Sequence, residues 1–333
     1  MEAVNCSLCH KDRTVPLFIA AGTMPEEGQF QLVRCKTCHL VYLNPRPDLE
    51  ELKRYYPKWT VSPEQEKLVG TIPQEIRRRE KWKVRLLPKG LKKKPGSVLD
   101  VGAAAGEFLY LLREQGWHTT GIEPSPVTSR SARETFGLQV FTGTVMEAEF
   151  SPESFELVTL WDVVEHLPNP LETLQKVATL LKRGGHLILS TPNIEGLPAR
   201  WFKSAWYTNV PRHLYFFSPV TIQKLLEHSG LQLIGIRHHH SLFTPTSFAS
   251  TFRRWLLRCS PRLEKKAREY WKRAQSNLIE KRSPPLIALK VVLDWMLECV
   301  SLPIALFGVW TCQAPNLTVY ASKPSSPERV EKI

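Results

Sequence analysis

The run SVLDVGAAAGEFLYLL, residues 97–112, most constrains what this chain can fold into. An apolar stretch reaches a carboxylate, Asp100, passes through Gly102, three alanines and Gly106, and restarts in a helical pattern. A strand, a tight turn of small residues and a helix N-terminus together cradle a nucleotide, because free backbone N–H groups and the helix dipole point at it. The dinucleotide fingerprint G-x-G-x-x-G is absent, however. Asp100-x-Gly102-x-x-x-Gly106, with Ala103 and Ala104 between, offers a pyrophosphate no all-glycine bed, whereas an amino-acid moiety fits such a turn. Further on, Glu123 in GIEPS ends a second strand and can accept both ribose hydroxyls.

The pattern around this run alternates. SVLDVG, HTTGIEPS, QVFTG, FELVTLWDVV, HLILSTPN and LQLIGIRHHH read as strands separated by helices, which implies a doubly wound parallel sheet. Three helices start on a cap followed by proline: Ser125-Pro126, Asn169-Pro170 and Ser218-Pro219. Gly137, Gly184 and Gly230 stand where helices should stop.

Seven cysteines without an apparent export signal do not suggest a disulfide framework. Four are organised as two C-x2-C pairs, Cys6/Cys9 and Cys35/Cys38, a spacing that points four thiolates at one tetrahedral Zn²⁺. Such a closed site is structural. His10 and His39 each follow a knuckle as competing ligands, and Cys259, Cys299 and Cys312 read as core residues.

The expected divisions are a zinc-ribbon module over 1–47, a helical connecting arm over 48–95, a core over 96–240, a helical cap insertion over 241–314, a last strand over 315–324 and a tail over 325–333. The net charge of +13 is concentrated in residues 76–94 and 253–282, so the remainder is slightly acidic. Those runs suit nucleic acid, acidic headgroups or a phosphorylated substrate, or are solvated helix faces. The apolar region 285–310 is interrupted by Lys290, Asp294, Glu298 and Pro303, which argues against a membrane span. It reads as a helix in a cap or dimer interface, with a membrane-surface helix as the second reading. The expected location is cytoplasmic, or peripheral to a membrane through this segment.

VLDVGAAAGEFL, GIEPS, FTGTVMEAEF, FELVTLWDVVEHLPNP and LKRGGHLILSTPN resemble, in order and spacing, the successive motifs of class I S-adenosylmethionine (SAM)-dependent methyltransferases over about residues 96–235. The alternating NLTVYASKP resembles that family's antiparallel seventh strand. With the two knuckles and NVPRHLYFFSPVTIQKLLEHSGL, the chain resembles zinc-ribbon-bearing bacterial methyltransferases of small molecules and sugars. The resemblance implies an α/β fold: a doubly wound, Rossmann-like seven-stranded sheet with an N-terminal zinc-ribbon and a C-terminal helical insertion before the last strand. It places Asp100, Gly102, Ala103 and Gly106 along the methionine part of SAM and Glu123 at its ribose. Val145 and Met146 flank the adenine, and Asp162 faces the methyl donor. Ala104 departs from a frequent glycine, and Thr144 or Val145 from a frequent aspartate.

Methyl transfer to a hydroxyl or carbon acid is helped by a base near the sulfonium. His166, beyond the fourth strand, and His213, after the fifth, are the catalytic candidates, each with a bracing role as the alternative. Arg212 could clamp an anion, and Tyr207 and Tyr215 are further candidates. The cluster RHHHS at 237–241 reads as surface. The expected acceptor is a small molecule such as a sugar or lipid-linked intermediate. An RNA base methyltransferase is the alternative, and a non-catalytic binding protein the third class. Oligomeric state is not legible.

Overall fold

The computed structural model describes residues 1–21, 28–55, 74–239, 251–252, 254–255, 259 and 307–325. Eleven strands form two sheets among these residues. The N-terminal strands are β1 (Thr14–Ala21), β2 (Gln29–Cys35) and β3 (Val41–Leu43). Those of the core are β4 (Ser97–Val101), β5 (His118–Glu123), β6 (Gln139–Thr142), β7 (Phe155–Trp161), β8 (Leu181–Pro192), β9 (Tyr215–Phe216), β10 (Gln232–His239) and β11 (Asn316–Ser322). The helices are α1 (Leu49–Tyr55), α2 (Gln74–Leu86), α3 (Lys89–Lys93), α4 (Glu107–Arg113), α5 (Pro126–Phe136), α6 (Pro170–Leu180), α7 (Leu197–Phe202) and α8 (Pro219–His228).

The large sheet has the order β10-β11-β8-β7-β4-β5-β6. Neighbouring strands from β8 through β7, β4 and β5 to β6 are parallel. From β4 the chain adds β5 and β6 on one side, then returns to add β7 on the other, so the order reverses between β4 and β7. A crevice opens at the carboxyl ends of the strands at such a reversal, and ligands bind there. β11 runs antiparallel between β8 and β10, as the motif resemblance implied. Central strands are buried on both faces, which is why β4 and β7 read as nearly continuous apolar runs rather than alternating ones.

Local signals set most boundaries. The Ser125 side chain caps α5, and Gly137 ends it in the left-handed conformation at φ +59°. Ser218 and Thr221 form a reciprocal capping box at the start of α8. Two expectations need correction. Asn169 makes no side-chain cap to the backbone and instead donates to Glu172 Oε2 at 3.2 Å. Helix α6 ends at Leu180, before Gly184, because Leu181 already pairs with Phe155 as the first residue of β8.

The small sheet has the order β1-β2-β3-β9, so its last strand comes from the core. Val41 pairs with Phe216 and Tyr42 with Tyr215. Cys6, Leu32, Tyr42, Phe216, Leu160 and Leu189 lie in one apolar cluster, and no solvent layer divides the N-terminal module from the core. Arg46 strengthens this seam by donating at 2.8 Å to both the Pro168 carbonyl and the Tyr215 hydroxyl, while Tyr215 donates to the same carbonyl at 2.9 Å. Tyr215 is therefore a structural tie. The arm helix α2 packs on α4, and the Tyr320 hydroxyl donates to the Leu86 carbonyl at 2.9 Å.

Most of the expected cap insertion, 241–314, and of the basic run 253–282 lies outside the described residues, as does most of 285–310. Residues 307–310 are helical, with Trp310 exposed. Among the described residues no helix is long and apolar enough to cross a membrane. Arg46→Ala is expected to lower stability by about 1–2 kcal/mol, the worth of a charged donor at a half-buried seam, and thermal denaturation of the two proteins checks it.

Candidate active site

Four loops at the carboxyl ends of β4, β5, β6 and β7 build one side of the crevice. The turn after β4 folds back on β5: the Gly102 and Ala103 N–H groups both donate to the Ile122 carbonyl, at 2.8 and 2.9 Å. Gly102 has φ +79°, and a Cβ there would sit 2.5 Å from Val163 Cγ2. At Gly106, φ is +86° and a Cβ would sit 2.5 Å from Leu138 Cδ1. Both positions require glycine. Ala104 also has positive φ, +48°, which explains why glycine is frequent at this position in the family it resembles; alanine costs about 1–2 kcal/mol there.

Glu123 holds this turn in place. It is 9% exposed, accepts from the Ala104 N–H at 3.0 Å through Oε2 and from the Ser125 N–H at 2.9 Å through Oε1. Burial raises its pKa despite those bonds. A carboxylate retains further lone pairs at each oxygen, so Glu123 can brace two loops and still accept from a diol.

Asp100 is 3% exposed and accepts from the Thr159 hydroxyl at 2.5 Å. Burial pushes its pKa up to about 7, opposed by that bond and by the charge of Lys83. Lys83 comes from α2, where it pairs with Glu80 at 2.7 Å and lies over the rings of Phe108 and Trp161 at 5.9 and 5.8 Å. Trp82, one residue earlier, meets Trp161 edge-on at 5.6 Å between centroids. The sequence assigned α2 to a connecting arm; its amphipathic pattern gave no sign that it brings a cation to Asp100.

In the loop after β6, Thr144 donates through its N–H and hydroxyl to Glu147 Oε2, at 2.7 and 2.9 Å. Val145 is buried there while Met146 is 53% exposed, an apolar side chain available to cover a flat ring. Asp162, just beyond β7, has φ +56°, donates its N–H to Ser190 Oγ at 2.9 Å and accepts from that hydroxyl at 2.7 Å. It is exposed, unlike the buried Asp100.

Next to these loops His166 and His213 meet, although they are far apart in sequence. Their rings are 4.6 Å apart, edge to face. His166 Nδ1 lies 2.9 Å from the Arg212 carbonyl, which can only accept, so the proton is on Nδ1 and Nε2 keeps its lone pair. Burial lowers the pKa of His166 to about 4, and burial together with His166 pulls His213 well below the usual range. Glu165, 1% exposed, completes the group; burial and the nearby Asp162 push its pKa well up. Its main-chain carbonyl accepts from the Leu214 N–H at 2.8 Å, joining the turn after β7 to the segment that leads into β9. Tyr207 is half-buried near Asp162 and Glu165, and desolvation together with those two carboxylates raises its pKa. Glu165 was not among the candidates the sequence offered, because nothing in DVVEH signals that it is buried.

Cys6, Cys9, Cys35 and Cys38 converge, with all four sulfurs within 4.8 Å of one another. Cys6 Sγ lies 3.4 Å from Cys38 Sγ, and Cys9 Sγ 3.4 Å from Cys35 Sγ. The four-sulfur donor set fits a tetrahedral zinc ion. His10 and His39 are exposed and close the two knuckles at φ +58° and +69°, where their N–H groups donate to the Cys6 and Cys35 carbonyls. They are turn residues. His238 and His239 enter no donor cluster among the described residues, and Cys259 and Cys312 are exposed rather than core.

The raised pKa of Asp100 makes a signed prediction. Between pH 3.8 and about 7 the unfolded chain gives up this proton while the folded protein keeps it, so the group opposes folding increasingly as pH rises through that window, then levels off. Asp100→Asn keeps a neutral acceptor for Thr159 and is expected to flatten that part of the stability profile. Denaturant titrations of both proteins across the window check it.

Residues 73–236 match a family of methyltransferase domains. A ubiquinone biosynthesis O-methyltransferase of Vibrio cholerae is 31% identical over 169 residues, covering 45% of this chain and 66% of the relative. That of Aliivibrio fischeri is 31% identical over 162 residues, covering 43% and 67%. The chain thus spans about two thirds of the length of these relatives. A SAM-dependent methyltransferase structure from Archaeoglobus fulgidus aligns with a TM-score of 0.46 at 19% identity, over 75% of this chain and 94% of that one. The matched segment contains the turn after β4, Glu123, Asp162 and the paired histidines, and with that match the chain belongs to the class I SAM-dependent methyltransferase family.

Proposed function

We propose that the protein transfers a methyl group from SAM to a hydroxyl of a small-molecule acceptor. The observation that carries this reading is the meeting of two uncharged imidazoles and a buried carboxylate, His166, His213 and Glu165, beside the loops that fit the methyl donor. The similarity to O-methyltransferases of ubiquinone biosynthesis supports an oxygen nucleophile. A sugar or lipid-linked acceptor remains within the proposal. The RNA reading rests on the four-cysteine module and the basic runs, and Arg254 in one of those runs donates to the main-chain carbonyls of Trp206, Tyr207 and Asn209.

When bound, SAM supplies an electrophilic methyl on a sulfonium. In this reading Asp100, with Gly102, Ala103 and Gly106, holds its amino-acid part, and Glu123 accepts from its ribose. Val145 and Met146 cover the adenine, and Asp162 lies toward the sulfonium. An ammonium placed against Asp100 favours the ionised carboxylate, so binding releases a proton near pH 7. His166 and His213 are the catalytic residues that activate the acceptor oxygen, and burial keeps both unprotonated at neutral pH. Positioning of the nucleophile in line with the donor supplies much of the remaining rate.

The four cysteines hold a structural Zn²⁺ in this reading. Its role follows from the seam: β3 pairs with β9 two residues after His213, so the folded ribbon fixes the wall that carries this histidine. The molecule acts in the cytoplasm, with any membrane contact made through 285–310.

Isothermal titration of S-adenosylhomocysteine into the zinc-loaded protein tests the donor site. Tight binding is expected, and Glu123→Ala is expected to weaken it by about tenfold or more, the loss of a buried charged acceptor. His213→Ala is expected to retain that binding and to lose about 10²–10⁴-fold in kcat with a hydroxyl acceptor. A wild-type protein that does not bind the nucleoside overturns the proposal.

A further inference from the structure

The loop after β6 carries a carboxylate, Glu147, that is exposed and yet does not extend into solvent. Its Oε2 accepts from the Thr144 N–H at 2.7 Å and from the Thr144 hydroxyl at 2.9 Å. Those two bonds, the main-chain one foremost, hold the carboxyl below the usual glutamate range, so the group is ionised at neutral pH. Oε1 takes no part in them, and among the described residues it has no partner. A carboxylate that reaches back over three residues to an N–H is half of a capping box, a task that glutamine performs as well. An ionised group with a free oxygen is more than a cap requires.

Glycine at 143 allows this placement. Gly143 has φ +148°, and a Cβ there would sit 2.9 Å from Glu147 Oε2 and 2.7 Å from Phe141 Cε1. The carboxylate is thus folded back against the main chain at the end of β6. The Gly143 N–H donates to the Glu123 carbonyl at 3.1 Å, and Glu123 pairs with Thr142 across the parallel strands β5 and β6. Glu123 and Glu147 therefore stand on one rim of the crevice, at the carboxyl ends of adjacent strands. Phe141 and Met146, 39% and 53% exposed, add apolar surface to the same rim.

We propose that Glu147 selects the nucleobase of the methyl donor, with Oε1 accepting from the exocyclic amino group of adenine. The inference rests on the methyltransferase reading above and deepens it. A ribose held at Glu123 directs its base along the rim toward the end of β6, where flat-ring cover and a fixed acceptor lie together. Thr144, at a position where aspartate is frequent in the family, is itself a donor that orients Glu147. A base with a carbonyl in place of the amino group would set oxygen against oxygen with no proton between them, and sites built to pair with a donor reject such an analogue. Glu147 touches the donor far from the transferred methyl, so it governs which nucleoside binds rather than the chemical step.

The test compares calorimetric binding of S-adenosylhomocysteine with that of its deaminated counterpart, S-inosylhomocysteine, to the full zinc-loaded chain. The wild-type protein is expected to prefer the adenine nucleoside by about tenfold or more. In Glu147→Gln the two Thr144 donors keep the amide oxygen, so the NH₂ group faces the base, a donor where an acceptor stood. That variant is expected to lose the preference or reverse it, and Glu147→Ala to lose it without reversal. A ratio of the two affinities is read because a merely structural cap would change both by the same factor. Equal binding of the two nucleosides by the wild-type protein, or a ratio unchanged in both variants, overturns the assignment and leaves the methyltransferase reading intact. A wild-type protein that binds neither nucleoside removes the reading on which the assignment rests, and the assignment with it.

Discussion

The buried carboxylate of Glu123 ties together what would otherwise be two independent loops. The turn after β4 runs through left-handed conformations at Gly102, Ala104 and Gly106, which an isolated chain would rarely adopt in sequence. It persists because the Ala104 N–H ends on Glu123, the Gly102 and Ala103 N–H groups end on the Ile122 carbonyl, and Val163 and Leu138 fill the space that side chains at 102 and 106 would need. Strain at the turn is thus offset by hydrogen bonds that only a parallel β4–β5 pair in this register can supply. The cradle depends on the sheet, and the sheet's order places the cradle at its reversal point.

A second dependence runs from the N-terminal module to the acceptor wall. Tyr215 and Phe216 belong in sequence to the core but complete the ribbon's sheet as β9, and Arg46 joins Tyr215 to the carbonyl of Pro168. The Leu214 N–H meets the carbonyl of Glu165 just before that strand. His166 and His213 therefore sit on two segments fastened to each other on one side and to the ribbon on the other. A ribbon that is too small to bury a core by itself gains one by sharing the apolar cluster of the larger domain, as small metal-stabilised units generally need additional staples.

The two carboxylates of the crevice show how environment separates roles. Asp100 and Asp162 both stand at the ends of central strands, yet Asp100 is enclosed and held near neutrality by burial, whereas Asp162 is exposed and bound to Ser190. Glu165, three residues past Asp162, is buried, and desolvation pushes its pKa well up. Burial thus raises the proton affinity of Asp100 and Glu165 alike, an effect that residue type alone does not carry.

Periodicity, caps and spacing were enough to read the alternating strands and helices, the C-x2-C donor set, the required glycines at 102 and 106 and the carboxylate at 123, because each is a local property of a few neighbouring residues. The end of α6 was misread for the converse reason: Gly184 signals a stop, but the pairing of Leu181 with Phe155, a tertiary contact, had already begun the next strand. Only the folded chain decided that α2 lies against α4 and brings Lys83 toward Asp100, that the ribbon takes its fourth strand from the core, and that His166 and His213 face each other beside a buried Glu165. Such meetings depend on which elements pack together at long sequence separation, and burial, which sets the charge state of each group, exists only once they have packed.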